Sequence, residues 1–458
     1  MWERILFGTA VRGTIISTAA ASRLRLARRL RSAKRSAVPA LPERPLPRGP
    51  FAYPDFRRFW AAKLSGTFAQ MLLVVVIGWQ VYDTARLSMG TSRAAFVLGM
   101  VGLAQFLPVV LLTPLVGYAA DRADRRHIVR ASLVVELICA LALAALAWRR
   151  AESLPALFAV AGLLGVGRAF ASPALSALAP NLVPPALLPR AIALNSVGWQ
   201  TGAIAGPPAG GLLYAISPSA PYAVAAVALV IAFTAMLAVG PVTRSVPSGR
   251  SAVAEIRAGL SYVRRNDIVF GAISLDLFAV ILGGATALLP VYSRDILHAG
   301  PEGLGILRAA PAVGAGATAL WLTRRSLGRR AGAKMFWAVA LFGVGTVVFG
   351  LSRDLWLSCA ALALTGAADM VSVNVRSTLI QLHTPDGMRG RVSAVSSLFV
   401  GASNELGEFE SGVLAALLGP VAAVIAGGMG AVIVAALWAR WFPALRLADR
   451  LDRLPDAA

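Results

Sequence analysis

The sequence predicts an all-α integral membrane protein with twelve transmembrane helices, arranged as two six-helix pseudo-repeat halves around a central cavity. Three observations predict this fold class. First, 57% of the 458 residues are hydrophobic and only 14% are charged, whereas an ordinary soluble domain carries about 25% charged residues. Second, apolar runs long enough to cross a bilayer recur along most of the chain. Third, part of the first half of the chain is repeated in the second half.

The apolar runs begin at Phe59, and each is about 20 residues long, enough for a helix to cross a hydrocarbon core of roughly 30 Å. We expect spans at residues 59–82, 94–118, 128–148, 154–175, 191–215, 220–240, 268–291, 303–323, 335–352, 355–376, 390–417 and 419–441. The connections are mostly a few residues long. Neighbouring helices are therefore expected to be antiparallel, because irregular backbone cannot lie in lipid.

The longest connection, residues 241–267, divides the spans six and six, and its portion at 255–265 predicts a short amphipathic helix on the cytoplasmic surface. The predicted domains are a basic, proline-rich cytoplasmic tail at 1–50, an N-terminal six-helix half at 51–240, a cytoplasmic linker at 241–267, a C-terminal six-helix half at 268–445 and a cytoplasmic tail at 446–458.

An internal repeat supports this division. An ungapped shift of 201 positions aligns Gly165 with Gly366 and Arg190 with Arg391. The unit formed by the fourth and fifth segments thus recurs as the tenth and eleventh. Parallel repeats of six helices, related by an axis along the membrane normal, imply a central path between the two halves.

The charge distribution predicts the orientation. The formal net charge is +22, and alternate assignment of the segment ends to the two sides puts most of the arginines on the side that holds both termini. Basic loops concentrate on the cytoplasmic side, so both termini are expected there. Nucleic acid is not an expected partner, because no basic face with interleaved aromatic residues accompanies the charge.

The tail at 1–50 is rich in arginine and proline, which predicts an extended linker or a segment lying on the membrane surface. Its apolar stretch at 5–21 is interrupted by Arg12 and is followed by no clean cleavage site. A transit peptide or a wrongly chosen start codon is the alternative. No metal or other cofactor is expected, because both cysteines lie inside apolar segments and the three histidines share no metal-ligand spacing.

A charged loop between the second and third segments is the first candidate functional motif. Its five residues of interest are Gly117, Asp121, Arg122, Arg125 and Arg126. The glycine allows two helices to approach closely, and Asp121 can accept hydrogen bonds from a helix N-terminus or from an arginine. The counterpart at 321–330 lacks the glycine and the aspartate. We therefore predict that the loop acts for one half only, as a latch to the C-terminal half when the path faces outward.

Small residues form a strip along the fifth segment. The residues of interest are Gly202, Gly206, Pro207, Gly210 and Gly211. Glycine at every fourth position puts a flat strip on one helix face, and the proline bends the helix. We expect this strip to be the surface on which the two halves rock or seal. The alternative is that the strip serves helix packing alone.

Charged residues inside spans are expensive in hydrocarbon and are therefore candidates for function. Arg168 lies in the fourth segment, and the repeat places Asp369 at the same depth in the other half. We expect these two to pair across the central path in one state, with Asp369 as the titrating partner, because arginine stays charged. A fixed ion pair within the C-terminal half is the alternative for Asp369. Asp276 in the seventh segment is either a site for proton or substrate or a satisfied structural acid.

Glu405 and Glu408 are expected on one face of the eleventh segment, since they are three residues apart, whereas Glu410 points elsewhere. Two neighbouring carboxylates repel each other, which favours protonation of one of them and suits proton exchange. In the first segment, Gln70 is the polar residue expected to face the cavity. The candidate proton and substrate site consists of Arg168, Asp369, Asp276, Glu405, Glu408 and Gln70.

The loop at 117–126, at its place among twelve segments, resembles the signature of the major facilitator superfamily of secondary transporters. The resemblance covers about residues 51–445. The glycine and proline pattern at 202–211 is similar to the motif of the proton-antiporting exporters in that superfamily, and the wider phrasing resembles its enterobactin-exporter-like subgroup. Arg168 stands where many members carry a buried arginine. The chain departs from the family at 170–172, where Phe-Ala-Ser replaces the Gln and Gly that often follow this arginine.

The resemblance implies a secondary active transporter, a monomer in the bacterial cytoplasmic membrane, that exports a siderophore-like or amphipathic organic molecule in exchange for protons by alternating access. Its expected partners are a small-molecule substrate, protons and the lipid bilayer. An importer or facilitator of the same fold, or a non-transporting membrane receptor, is the alternative. An enzyme is not expected, because the sequence shows no constellation of nucleophile, base and acid.

Overall fold

The computed structural model describes residues 49–151, 153–241, 252–325, 330–385 and 387–448. The longer helices are α1 (Pro54–Arg86), α2 (Thr91–Arg122), α3 (Arg125–Trp148), α4 (Leu154–Leu178), α5 (Leu188–Ile216), α6 (Ala220–Leu237), α7 (Ala252–Arg265), α8 (Asp267–Leu282), α9 (Gly300–Arg324), α10 (Ala331–Leu351), α11 (Leu355–Leu382), α12 (Arg389–Leu418) and α13 (Pro420–Trp441). After α8, four-, three- and five-residue helical turns continue the segment to Ile296.

Ten of the described helical segments are long and apolar enough to cross a membrane. The prediction of an all-α, multi-pass membrane protein is therefore confirmed. Helices α5 and α12 are 29 and 30 residues long but are not among the ten. Both carry polar residues along their length, including Asn195 and Gln200 in α5 and three glutamates in α12. The count of twelve spans therefore stays a prediction.

Helix ends follow the local sequence. Asp124, Asn266 and Asp354 cap the N-termini of α3, α8 and α11, because the side-chain oxygen of each accepts a hydrogen bond from a backbone N–H of the first turn. Several helices begin with proline in the first turn, where the missing N–H costs nothing.

The apolar core has separate parts. One cluster of buried side chains lies wholly within 56–239, and another lies within 272–445. A third cluster joins the two regions and includes Tyr82, Leu98, Tyr292 and Leu304. The N-terminal and C-terminal helices therefore pack mainly among themselves and meet chiefly through two helix pairs, α2 with α12 and α5 with α9.

The linker helix α7 starts at Ala252, three residues earlier than expected. Its apolar face packs through Val263 on Val392 and Val395 of α12. The Tyr262 hydroxyl donates a 2.5 Å hydrogen bond to the carbonyl of His383. These contacts attach α7 to the start of α12.

The predicted latch loop is described only in part. The backbone of 117–122, including Gly117, continues α2 as helix, whereas the side chains of Asp121 and Arg122 lie outside the described part of the chain. The tails at 1–48 and 449–458 and the linker residues 242–251 also lie outside it. Arg125 donates a 3.2 Å hydrogen bond to the carbonyl of Ala177 at the end of α4.

Arg126 binds the capping residue Asp124, with Nη2 of Arg126 2.6 Å from Oδ2 of Asp124. Nη1 of Arg126 donates a 3.0 Å hydrogen bond to the carbonyl of Val239 after α6. The Arg126 guanidinium, hydrogen-bonded to Asp124, lowers the pKa of that carboxyl to about 2. Asp124 thus ties the start of α3 to the end of α6 as well as capping a helix.

We expect Asp124→Ala to lower the free energy of unfolding by about 1 kcal/mol, the usual loss for a removed N-cap. Asp124→Asn should lose less, because asparagine is also a good cap. Since the pKa in the folded state is depressed, the contribution of the ionised carboxylate is present above pH 4 and is lost as the pH falls from about 4 to about 2. Thermal unfolding in detergent across this pH range measures it. If the difference in unfolding temperature between the wild type and the asparagine variant does not become smaller as the pH falls, the role of the charge is contradicted.

Candidate functional site

A cavity of about 360 Å³ lies between helices from both parts of the bundle. The charged side chains that line it are Arg168, Arg308, Asp369, Glu405 and Glu408. Polar side chains that also line it are Gln105, Thr286, Thr346, Thr365 and Asn404. We call this the central cavity. It brings together four of the six residues that the sequence predicted as a proton and substrate site.

Arg168 crosses the seam between the two parts of the bundle. From α4, its Nη1 donates a 2.6 Å hydrogen bond to Oε1 of Gln105 on α2 and lies 3.7 Å from Oε1 of Glu405 on α12. Both side chains of the ion pair are partly exposed to the cavity, by 27% and 24%. Arg168 is not paired with Asp369 in this state, because α12 and not α11 presents the carboxylate that it meets. Their pairing in another state stays a prediction.

Asp369 lines the central cavity from α11. No hydrogen bond or ion pair joins its carboxylate to another residue in the described part of the chain. The alternative of a fixed ion pair for Asp369 is thus not what the structure shows. A carboxylate in this position is free to accept a proton or a hydrogen-bond donor from a ligand.

Glu408 and Arg308 form a second loose pair at the cavity, with Nη2 of Arg308 3.6 Å from Oε1 of Glu408. Arg308 also donates a 2.8 Å hydrogen bond to the carbonyl of Thr286. Sequence reasoning missed Arg308, although a lone arginine inside the span at 303–323 was a signal for it. Both Arg–Glu separations exceed hydrogen-bond length, so each group keeps capacity to bind something else.

The two predicted glutamates share one face of α12, as their spacing indicated, and both line the cavity. Gly102 of α2 lies against this face, since a Cβ at Gly102 would come 2.8 Å from the Cβ of Glu408. Glu410 does not line the cavity, and its Oε2 is buried without a hydrogen-bond partner.

A second cavity, of about 440 Å³, lies within the N-terminal helices, and we call it the N-side cavity. Gln70 lines this cavity and not the central one, so the prediction that Gln70 faces a cavity applies to a different space than expected. Lys63, Glu136 and Trp199 also line it. Met71 and Arg168 line both cavities.

Asp276 does not line either cavity. It forms an ion pair with Arg376 of α11, and each of the two side chains is only 8% exposed. The structure thus favours the reading of Asp276 as a satisfied structural acid that joins α8 to α11. Removing one member of a buried pair costs several kcal/mol, because the other charge is left buried without a partner.

The glycine strip of α5 packs against α1 and not between the two parts of the bundle. Cβ atoms at Gly202 and Gly206 would come 2.9 and 2.8 Å from Thr67 and Met71 of α1, and Gly210 faces Leu72 of the same helix. The expectation that this strip is the rocking surface is therefore wrong for these three glycines. A four-residue repeat shows that they share a face, but not which helix covers it.

Gly211 and Pro207 do lie at the seam with the C-terminal helices. Gly211 contacts Pro301 and Gly305 of α9, and a Cβ at Gly305 would come 2.8 Å from the carbonyl oxygen of Pro207. A matching contact joins α2 to α12, where a Cβ at Gly99 would come 2.7 Å from the Cα of Gly412.

Ion pairs join the two parts of the bundle at the end where α1 finishes, which we call the Arg86 end. Nε of Arg86 lies 3.0 Å from Oδ2 of Asp295, which also accepts a short hydrogen bond from the Tyr82 hydroxyl. Nη1 of Arg294 lies 2.6 Å from Oδ1 of Asp83. The Arg86 end is thus held by side-chain pairs outside the Gly99 and Gly211 contacts.

The membrane-spanning helices, the charged cavity between the two parts of the bundle and the family match given next identify a multi-pass membrane transporter of small molecules, not an enzyme. The chain belongs to the major facilitator superfamily. Within it, the chain matches the family described as transmembrane secretion effector over residues 46–457. The resemblance drawn from the loop at 117–126 and the helix pattern is thereby confirmed.

The chain is similar to the enterobactin exporter EntS of Citrobacter koseri, with 25% identity over 412 residues that cover 89% of this chain and 96% of the relative. EntS of Shigella boydii is 26% identical over 391 residues, or 84% of this chain and 91% of the relative.

Among solved structures, a D-xylose-proton symporter superimposes with a TM-score of 0.66 at 14% identity, covering 86% of this chain and 99% of the other. A bacterial homologue of the iron transporter ferroportin, in an inward-facing state, has a TM-score of 0.60 at 18% identity, with 84% and 98% covered. These two likenesses show the fold alone.

Proposed function

We propose that this protein is a proton-coupled exporter of the bacterial cytoplasmic membrane, with twelve spans in two six-helix halves that alternate access to the central cavity. Its substrate is a siderophore-like or amphipathic organic molecule, as the similarity to enterobactin exporters suggests. It works as a monomer in the lipid bilayer, with both termini in the cytoplasm. In that orientation the Arg86 end lies on the outer side of the membrane. Contacts that close the outer end belong to an inward-facing state, in which the cavity opens to the cytoplasm.

The Arg168–Glu405 pair is the observation that carries the proposal. Its members come from α4 and α12, so the pair breaks or re-forms when the two halves move relative to each other. Glu405 can be ionised or protonated, whereas Arg168 stays charged. Protonation of Glu405 removes its attraction for Arg168 and thereby links proton binding to the contact between the halves.

Asp369 supplies a second proton acceptor in the same cavity. Its carboxylate has no ion-pair partner in the described residues, so a proton and a substrate donor group compete for it. Competition of this kind is what exchange requires, because substrate release on the outside leaves the carboxylate ready for a proton.

Everted membrane vesicles that contain the protein test the coupling. We expect an imposed inward-acidic gradient to drive uptake of a catecholate siderophore or an amphipathic dye, and Asp369→Asn to reduce this uptake at least tenfold, because an amide cannot carry the proton. Asp354→Asn is the matched control, since Asp354 caps the same helix outside the cavity. Equal uptake by wild type and Asp369→Asn, or net uptake by the wild type that does not respond to the gradient, would contradict proton coupling at this site.

The role of the loop at 117–126 is a separate part of the proposal. We place the latch of Asp121 at the inner end, near the start of α12, where it would hold the halves together when the path faces outward. Arg125 and Arg126 support it from the first turn of α3, through their hydrogen bonds to the ends of α4 and α6.

A further inference from the structure

The central cavity and the N-side cavity adjoin each other. Met71 of α1 and Arg168 of α4 line both of them, so the two spaces share a border at these two side chains. The volumes of about 360 and 440 Å³ each fall within the range for small-molecule sites, about 300 to 1,000 Å³. A ligand that passes this border would occupy both spaces, and we therefore treat them as two compartments.

The two compartments differ in charge. In the central cavity, two arginines face three carboxylates, which leaves one net negative charge when all five groups are ionised. Glu405 and Glu408 are each paired with an arginine. The uncompensated charge therefore lies at Asp369.

The N-side cavity has a different set of charges. Lys63, Glu136 and Arg168 line it, and Arg168 is shared with the central cavity, where it is paired with Glu405. The charges that belong to the N-side cavity alone are those of Lys63 and Glu136. Glu136 is only 6% exposed and lines the cavity from α3. Lys63 has no hydrogen bond or ion pair to another described residue. The free positive charge of this compartment is therefore the Lys63 ammonium.

We propose that the two cavities together bind an elongated dipolar molecule, with an acidic group at Lys63 and a basic amine at Asp369. Lys63 and Met71 are eight residues apart on α1, which corresponds to a rise of about 12 Å along the helix. Met71 borders the central cavity, so the acidic and basic groups must lie at opposite ends of an elongated scaffold. This proposal rests on the proposed function in one respect, namely that the bound molecule is the one transported.

Charge complementarity of this kind contributes mainly specificity. A molecule with acids at both ends would place one beside Asp369, and a molecule with amines at both ends would place one beside Lys63. Each arrangement leaves two like charges close together in a partly enclosed space. The dipolar molecule avoids both contacts.

A set of three matched probes tests the proposal by equilibrium binding to the purified full chain in nanodiscs. The zwitterion is 4′-(aminomethyl)biphenyl-4-carboxylic acid, whose methyl ester lacks the acid and whose N-acetyl derivative lacks the amine. Isothermal titration at pH 7 should show the zwitterion bound at least about tenfold more tightly than either derivative, since one charged hydrogen bond is worth about 1.5 kcal/mol or more.

Two variants test which end of the zwitterion lies at Lys63 and which lies at Asp369. Lys63→Gln should weaken binding of the zwitterion about tenfold and leave binding of the methyl ester unchanged, because the ester has no acid to lose. Asp369→Asn should weaken binding of the zwitterion to a similar extent and leave the N-acetyl derivative unchanged. Lys334→Gln, which removes an exposed lysine outside both cavities, is the control.

Absence of zwitterion binding, equal binding of the three probes, or equal weakening of zwitterion and ester by Lys63→Gln would overturn the proposal. Because no gradient is imposed, this outcome is independent of proton coupling. If the probes and variants bind as expected but the protein shows no gradient-driven uptake in vesicles, only the proposed function is contradicted. If the protein shows gradient-driven uptake but the probes and variants do not bind as expected, only the dipolar site is contradicted.

Discussion

Gly99→Leu is expected to abolish transport and to hold the Arg86 end apart. Gly99 of α2 faces Gly412 of α12 so closely that even a Cβ would come 2.7 Å from the facing Cα, a distance at which backbone must move. A leucine adds three further carbons at that point, and a packed interface accommodates extra volume only by shifting. The variant should therefore disfavour the state seen here and accumulate the state that is open at this end.

Spin labels at Leu87 and Leu417, both highly exposed, measure the opening in a background with Cys139 and Cys359 replaced by alanine. We expect the distance between the labels to increase in Gly99→Leu, and uptake into everted vesicles to fall to background. Gly90→Leu is the matched control, because no atom lies within 4 Å of a Cβ at that position. Unchanged distances, together with normal uptake, would show that the halves do not separate along the α2–α12 contact.

Glu405→Gln is expected to remove gradient-driven uptake while leaving counterflow of the substrate in place. The amide keeps the shape of the side chain and its hydrogen-bond capacity, but it can neither bind the proton nor hold Arg168 by charge. Since both members of the pair are about a quarter exposed, solvent weakens the interaction, and we expect little loss of folding stability. Gradient-driven uptake should fall about a hundredfold, because Glu405 is the acceptor whose two charge states also decide the contact between the two halves.

The matched control for this variant lies on the same helix. Glu410→Gln makes the same chemical change five residues further along α12, outside the central cavity. It should transport with the same dependence on the gradient as the wild type. Equal loss in both variants would assign the effect to α12 in general and contradict a specific role for Glu405.

Much of the fold followed from the sequence, since apolar runs of about 20 residues have few other structures open to them. The rule that charges inside spans face a cavity was equally effective for Arg168, Glu405, Glu408 and Asp369. The sequence did not predict which side chains these residues contact. Arg168 meets Glu405 and not Asp369 because the rotation of α11 and α12 about their own axes decides which carboxylate is nearest, and sequence spacing carries no information on that rotation.

The glycine strip shows the same limit. Spacing placed Gly202, Gly206 and Gly210 on one face of α5, and they do share a face. The covering helix is α1 of the same part of the bundle, whereas the contact across the seam uses Gly211, one position further on. A step of one residue turns a helix by about 100°, so neighbouring glycines in one motif serve two different interfaces.

The contact of Gly99 with Gly412 also limits the access of water between α2 and α12. A carrier that couples two gradients loses energy whenever water threads between its halves and conducts protons by itself. A void must offer about 10 to 15 Å³ of space to hold even one water, and two backbones that leave no room for a methyl group offer none there. Ion pairs such as Arg86–Asp295 attract water, whereas apposed glycines exclude it. The backbone contact of Gly99 with Gly412 therefore leaves no space for water at that point between α2 and α12.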